Sequence, residues 1–266
     1  FNQLGYSVEW RVINAADYGR AQRRRRVFFF VFRNDTKWGK RLHTKYEATL
    51  PIDVDLDTRL ACYTPYIFQD GLFARQFPVK GEAVKKRINV NKLDEDIAEV
   101  SANFSDGKMW NSGLMTNGYY YTIETEPKGD EEPIPMKEIV VSPNQVPKEY
   151  YIDGEKLEKF KYLRGPKKIT RTAANGHTYT FSEGGMSEYD SLDLPGRTML
   201  TSEGSVNRST HLLKIDGKYR LITPIEAERL QDFPDDWTRY KRNAKGEVVE
   251  VSDRMRMFFM GNALVT

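Results

Sequence analysis

Four consecutive arginines follow Gln22, and they lead directly into the apolar run Val27-Phe28-Phe29-Phe30-Val31-Phe32. A strand repeats its side-chain direction every two residues, so Gln22, Arg24 and Arg26 face one way and Arg23 and Arg25 the other. Three long polar side chains on one side form a cradle for a phosphate or a base edge. A solvated basic cluster or a nuclear-type signal is the plainer reading of such a run. Its position at the mouth of a core strand favours a site.

Other reactive residue types are sparse. Cys62 is the one cysteine, which excludes a disulfide framework and a Cys-rich zinc site. It stands in Ala-Cys-Tyr, and no Pro-Cys dipeptide occurs. His43, His177 and His211 are isolated, without metal-ligand spacing. Lys85-Lys86-Arg87, and Lys167-Lys168 with Arg171, suit phosphate contact as well as solvated faces. Tyr119-Tyr120-Tyr121 reads as sheet packing.

The elements that must position these groups are clearest at the two ends. Tyr6 to Ile13 predicts a strand, closed by the polar loop Asn14-Ala-Ala-Asp-Tyr-Gly19. The six apolar residues from Val27 predict a strand buried on both faces, as in the parallel sheet of an α/β domain. From about Asn34 to Leu213 no strand-helix alternation repeats. That stretch reads as an irregular, mostly β insertion, with a β-like run at Tyr119–Glu124 and a short acidic helix over 93–100. At Thr223-Pro224-Ile225-Glu226 a helix begins. Thr223 is its N-cap, Pro224 its first residue and Glu226 the partner in a capping box. It should reach about Gln231 and stop before Phe233-Pro234.

Composition sets bounds only. The 266 residues are 39% hydrophobic and 30% charged, a globular balance with enough chain to bury a core. No window approaches the roughly 18 apolar residues of a membrane helix, and no signal peptide is visible. The start at Phe1 implies reset numbering or part of a longer chain. A net charge of +3 and a pI near 8.7 permit nucleic-acid binding without arguing for it.

Read together, the end segments resemble the DNA cytosine-5 methyltransferase family. Gly5-Tyr-Ser-Val8, Val12-Ile-Asn-Ala-Ala-Asp-Tyr-Gly19 and Gln22-x-Arg24-x-Arg26 are similar to its motif VIII. Arg220-Leu-Ile-Thr-Pro-Ile-Glu-Ala-Glu-Arg229-Leu-Gln-Asp-Phe-Pro-Asp-Asp-Trp237 looks like motif IX, and Gly261-Asn-Ala-Leu-Val265 like motif X. Arg197-Thr-Met-Leu-Thr-Ser-Glu-Gly204 and Asn207-Arg-Ser-Thr-His211 resemble the segment leading into motif IX. The long gap before motif IX is where the family places its target recognition domain.

The resemblance implies a fold: the edge of a Rossmann-like, S-adenosylmethionine-dependent α/β methyltransferase domain plus a small irregular β-rich target recognition domain. Residues 1–33 and 214–266 would belong to the catalytic domain and 34–213 to the recognition domain. It also implies a reaction. The family flips a cytosine from duplex DNA, adds a Pro-Cys thiolate to C6 with a glutamate assisting at N3, and methylates C5 from S-adenosylmethionine. The carried-over roles are Arg24 and Arg26 holding the flipped cytosine and its phosphate, with Gln22 in support. Asn262 would sit at the cofactor pocket, and Arg229, Thr223 and Glu226 would be structural. Arg197, Thr201, Ser205 and Arg208 would meet DNA, since exposed polar groups supply most contacts to phosphate and sugar.

Departures bound this reading. No Phe-x-Gly-x-Gly, Pro-Cys or Glu-Asn-Val segment occurs. All three precede motif VIII in the family, so the nucleophile and main cofactor loop are expected outside this chain, which alone should be inactive. The expected partners are double-stranded DNA and the N-terminal half of the enzyme, in the same chain or a separate subunit. The expected setting is cytoplasmic and nucleoid-associated, in a bacterial or phage-like restriction-modification system. The alternatives are the DNA-binding subunit of a split methyltransferase and a non-catalytic, sequence-specific DNA-binding module.

Overall fold

The computed structural model describes residues 1–47, 50, 54–81, 87–93, 96, 98–99, 102 and 109–265. They form two compact units. One comprises Phe1–Tyr18 and Arg25–Glu131, the other Gly19–Arg24 and Glu132–Thr266. The helix expected over 93–100 falls largely outside the described residues.

The first unit is built on an antiparallel sheet. Strand β1 (Tyr6–Asn14) pairs with β2 (Arg25–Arg33) over its whole length, from Tyr6↔Arg33 to Asn14↔Arg25. Strands β3 (Ile88–Lys92), β4 (Ser112–Thr116) and β5 (Tyr119–Ile123) complete it in the order β2-β1-β4-β5-β3. The expectation of a doubly buried strand in a parallel sheet is therefore corrected. β2 is an antiparallel edge strand: Phe32 is buried and Phe28 and Phe30 are half-buried on one side, while Val27 and Phe29 are 50% and 63% exposed on the other. A continuous apolar run carries no alternation to reveal this.

Helices α1 (Lys37–Leu42), α2 (Leu56–Pro65) and α3 (Leu72–Gln76) follow, with π-helical turns at His43–Glu47 and Tyr66–Asp70. A mainly β region was expected here. Thr36 and Asp55 cap α1 and α2 by accepting from Gly39 N and Thr58 N, the local hydrogen bonds that start helices. Leu42, Tyr46, Tyr63, Tyr66 and Ile67 pack against Phe32, Leu114, Tyr121 and Ile123 of the sheet.

Two buried charges on β1 lock α3 to the sheet. The Glu9 carboxylate accepts from Leu72 N and Phe73 N, both at 2.9 Å, satisfying the free amides at the start of α3. Arg11, two residues along, donates to the carbonyls of Ile67 at 2.5 Å and Phe77 at 3.0 Å. Burial raises the Glu9 carboxyl above its ordinary range, against the lowering pull of the two amides. A Cβ at Gly71 would lie 2.6 Å from the Glu9 carboxylate, so the approach needs a glycine.

In the second unit, α4 (Met136–Ile139), β6 (Tyr151–Ile152), α5 (Gly154–Arg164), β7 (Lys167–Thr172) and β8 (Thr178–Glu183) precede β9 (Leu212–Ile215) and β10 (Lys218–Leu221). Then come α6 (Pro224–Leu230), β11 (Tyr240–Arg242), β12 (Val248–Glu250) and α7 (Asp253–Asn262). The sheet β6-β10-β9 and the helices enclose a core that includes Met136, Phe160, Met199, Leu212, Leu213, Ile222, Ala227 and Leu230. The ribbons β7–β8 and β11–β12 are separate two-stranded sheets. Among the described residues, no helix is long and apolar enough to cross a membrane.

Candidate functional site

Gln22 and Arg24 sit at the centre of a buried junction in the second unit. Gln22 bridges to Gly196 in a parallel β-bridge, with Gly196 N donating to Ala21 O and Arg23 N to Gly196 O. The Gln22 amide donates to Leu230 O at 3.3 Å, and its oxygen accepts from Met199 N at 3.3 Å. Arg24, 6% exposed, donates to Met199 O at 2.9 Å and to Gly261 O at 3.1 Å. Gln231 closes the ring by donating to Met260 O at 2.5 Å. Four segments far apart in sequence thus meet through main-chain carbonyls. Each is buried, and an unmade bond there would cost about 1–3 kcal/mol.

Two glycines allow the close packing. A Cβ at Gly261 would lie 2.4 Å from Thr201 N, and one at Gly196 would lie 2.6 Å from a Leu230 methyl carbon.

The loop between Arg197 and His211 is held from below by charge. Asp190 accepts from Arg197 Nε, from Arg164 Nη2 at 2.8 Å and from Leu212 N at 2.9 Å. Burial alone would raise the Asp190 carboxyl, but the Arg197 hydrogen bond and the charges of His211, Arg197 and Arg164 hold it well below the ordinary range. Glu203, also buried, accepts from His211 N at 2.7 Å and meets His211 Nδ1 at 3.1 Å. Thr201 and Ser205 are exposed on this loop, and Ser205 Oγ donates to Ser202 O at 2.6 Å. Thr201, Ser202, Gly204 and Ser205 line a cavity of about 960 Å³ with Tyr150, Lys156 and the first residues of α7. Arg208 reaches the base of β8, pairing with Glu183 at 2.6 Å.

The remaining expected residues lie as follows. Arg26 is half-buried in β2, in the first unit, and donates to Arg25 O at 2.7 Å. Asn262 ends α7, exposed, with its amide nitrogen donating to Phe258 O at 3.1 Å. Arg229 clasps Asp235 through two bonds of 2.7 Å and donates to Ile139 O at 3.1 Å. The Asp235 hydrogen bond raises the Arg229 guanidinium and lowers its partner carboxyl. Thr223 caps α6 by accepting from Glu226 N at 3.3 Å, and Glu226 reaches back to Thr223 N at 2.7 Å. Cys62 is half-buried in the first unit, its thiol donating to Tyr46 O at 2.8 Å.

Sequence reasoning missed Glu228 and most partners of Glu226. Glu226 also takes both terminal nitrogens of Arg220 and Val141 N. Glu228, fully buried, accepts from Asp236 N, Thr238 N and Arg256. It thereby ties the Phe-Pro-Asp-Asp turn and α7 to α6. The capping box announced Glu226 but not its further partners, and Glu228 has no sequence signal beyond its place on the helix, because those partners come from other elements.

The fold carrying this junction mixes helices and strands, consistent with an α/β methyltransferase-like architecture. The family model for C-5 cytosine-specific DNA methylase matches residues 1–266, and the chain belongs to that family. It is similar to the type II methyltransferase M.Sau3AI of Staphylococcus aureus, with 50% identity over 264 residues. That match covers 99% of this chain and 57% of that protein, so the chain spans little more than half the relative's length. A second relative, the type II methyltransferase M.MthTI of Methanothermobacter thermautotrophicus, is 39% identical over 59 residues. That match covers 22% of this chain and 16% of that protein.

Proposed function

We propose that this chain is the DNA-reading half of a DNA cytosine-5 methyltransferase that acts on a cytosine flipped out of a short duplex target. The observation that carries the proposal is the junction at Gln22 and Arg24. The segment resembling motif VIII is joined there to those resembling motifs IX and X, 208 and 237 residues further along the chain, by hydrogen bonds between buried groups.

S-adenosylmethionine would supply the methyl group when bound. Asn262 fits one edge of its site: it is exposed at the end of α7, with its amide nitrogen donating to Phe258 O. The main cofactor loop and the nucleophilic cysteine would come from outside these residues. The engagement of the Cys62 thiol by a carbonyl supports that assignment.

Arg26 is the arginine proposed to hold the flipped cytosine and its phosphate, and Arg24, whose guanidinium is buried against the carbonyls of Met199 and Gly261, would brace it. Arg26 commits one nitrogen to a carbonyl and keeps further donors, whereas Arg24 acts from within the junction, with Gln22 in support. Arg197, Thr201, Ser205 and Arg208 belong to a loop proposed to meet double-stranded DNA, with Arg229, Thr223 and Glu226 bracing it. The catalytic part would draw on 1–33 and 214–266, the edge of a Rossmann-like domain, and the recognition domain on 34–213. The setting would be the bacterial cytoplasm.

The exposed Val27 and Phe29 side of β2 supports a seat for the N-terminal half, from the same chain or a second subunit. On this reading the residues described here transfer no methyl group by themselves. Mixing them with that half should restore methyl transfer to DNA, and no transfer would remove the split-subunit version.

The residue-level test is Arg26→Ala in the complete enzyme. Methylation should fall on the order of 10²-fold, the scale of losing one positioned donor, while duplex binding changes little. Equal losses in both would make Arg26 a backbone anchor only.

A further inference from the structure

The ribbon formed by β7 and β8 stands out because it has little core beneath it. Its two six-residue strands pair from Lys167↔Glu183 to Thr172↔Thr178, and most of their residues are exposed. At about 3.3 Å per residue it is roughly 20 Å long. An isolated hairpin of this kind is marginally stable in water, so an exposed one needs a reason to persist.

Its two faces differ in chemistry. The register places Lys167, Ile169 and Arg171 with Tyr179, Phe181 and Glu183 on one face, where the Arg171 guanidinium lies 4.1 Å from the Phe181 ring centre. The other face carries Lys168, Thr170 and Thr172 opposite Ser182, Thr180 and Thr178. Five hydroxyls and an ammonium are therefore presented together, all exposed. From Gly165 to Ser182 the chain holds Lys167, Lys168 and Arg171 and no carboxylate. Acidic groups begin at the foot, where Glu183 is clamped by Lys167 at 3.2 Å and by Arg208 at 2.6 Å. Lys167 also donates to Leu163 O at the end of α5. The base is thus pinned to the unit, and the tip, turning at Gly176 with a φ of 81°, is exposed.

We propose that the β7–β8 ribbon enters the major groove of duplex DNA and that its hydroxyl face reads base edges. This rests on the DNA-reading assignment above and names the element that would do the reading. A two-stranded ribbon matches the width of the B-form major groove, and Ser and Thr hydroxyls both donate and accept there. The basic charge suits the phosphates lining the groove, with Lys168 positioned to meet one. The other ribbon, β11–β12, is less suited: it carries Glu247 and Glu250, the latter paired with Arg239 at 3.0 Å.

The test uses the full-length protein and selection from a randomised duplex library. The variant Thr170→Val/Thr172→Val/Thr178→Val/Thr180→Val removes four hydroxyls while keeping side-chain shape and strand preference. The expected result is a specific-to-random affinity ratio at least tenfold lower, with affinity for random duplex unchanged. Lys168→Ala should instead weaken every duplex alike and lower the salt slope by about one. A quadruple variant that selects the same site as the parent would overturn the ribbon assignment and leave the DNA reading intact. A parent protein that binds no duplex would overturn the DNA reading itself. Independently of any folding effect, Thr178→Cys should exchange with a mixed disulfide tethered to the major-groove edge of a base, linking protein to DNA and releasing the small thiol. Crosslinking only to a minor-groove disulfide would refute the proposal.

Discussion

Asp190 concentrates the residue-scale energetics of the second unit. It is largely buried, and two arginines and an amide converge on it. Asp190→Asn leaves Arg164, 1% exposed, as a buried charge with a weakened partner. Loss of one member of a buried pair costs about 3–5 kcal/mol, which should appear as a lower urea midpoint with unchanged slope. Because the folded-state carboxyl is held below its ordinary range, its contribution is complete above about pH 4 and is lost as pH falls further. The variant should therefore flatten the acid limb of the stability profile. Gly261→Ala acts by contact and not by charge. The added methyl would lie 2.4 Å from Thr201 N, and overpacking of that kind costs about 1–3 kcal/mol. A thermal melt should drop by roughly 2–4 °C for each kcal/mol in a unit of this size.

Helix α6 is the element on which the second unit depends, although it spans only Pro224–Leu230. Such a short helix is not stable by propensity and must be held by its neighbours. Its cap, Thr223, contributes about 1 kcal/mol, the usual effect of Thr→Ala at that position. Glu226 does more than complete the box: it takes both nitrogens of Arg220 and the amide of Val141. Glu226→Ala should therefore destabilise the protein several-fold more, in kcal/mol, than Thr223→Ala. Denaturation curves of the two variants check the ranking. Equal effects would mean that the carboxylate serves the cap alone. Glu228 extends the same logic, carrying the turn at Asp236–Thr238 and α7 through Arg256.

For the whole molecule, a net charge of +3 is too small to drive DNA binding by itself, so placement decides. The β7–β8 ribbon carries Lys167, Lys168 and Arg171 with no carboxylate from Gly165 to Ser182, and β2 presents an apolar side. These two surfaces have different uses in the proposed enzyme, one toward DNA and one toward the other half. Phe29→Ser tests the second. With 63% of its surface exposed, Phe29 supports little of the chain's own stability, and the change should stay within about 0.5 kcal/mol. Methyl transfer reconstituted with the N-terminal half should be lost. Retention of full activity would place the partner elsewhere.

What the sequence determined by itself is local or ordered along the chain. The strands at Tyr6–Asn14 and Arg25–Arg33, though not their antiparallel pairing, the capping box at Thr223 and Glu226, and the order of the family segments are legible there. Each depends on neighbours within a few residues or on linear spacing. Tertiary structure decided the rest. It made β2 an exposed antiparallel edge, because a continuous apolar run does not say which face is covered. It packed the helices Lys37–Leu42 and Leu56–Pro65, capped by Thr36 and Asp55, where a mainly β region was expected. It drew Gln22 and Arg24, expected beside Arg26 on one face, into a buried junction with Met199, Leu230 and Gly261. Those carbonyls lie 175 to 237 residues away, and only a folded chain can bring a guanidinium to partners at that separation.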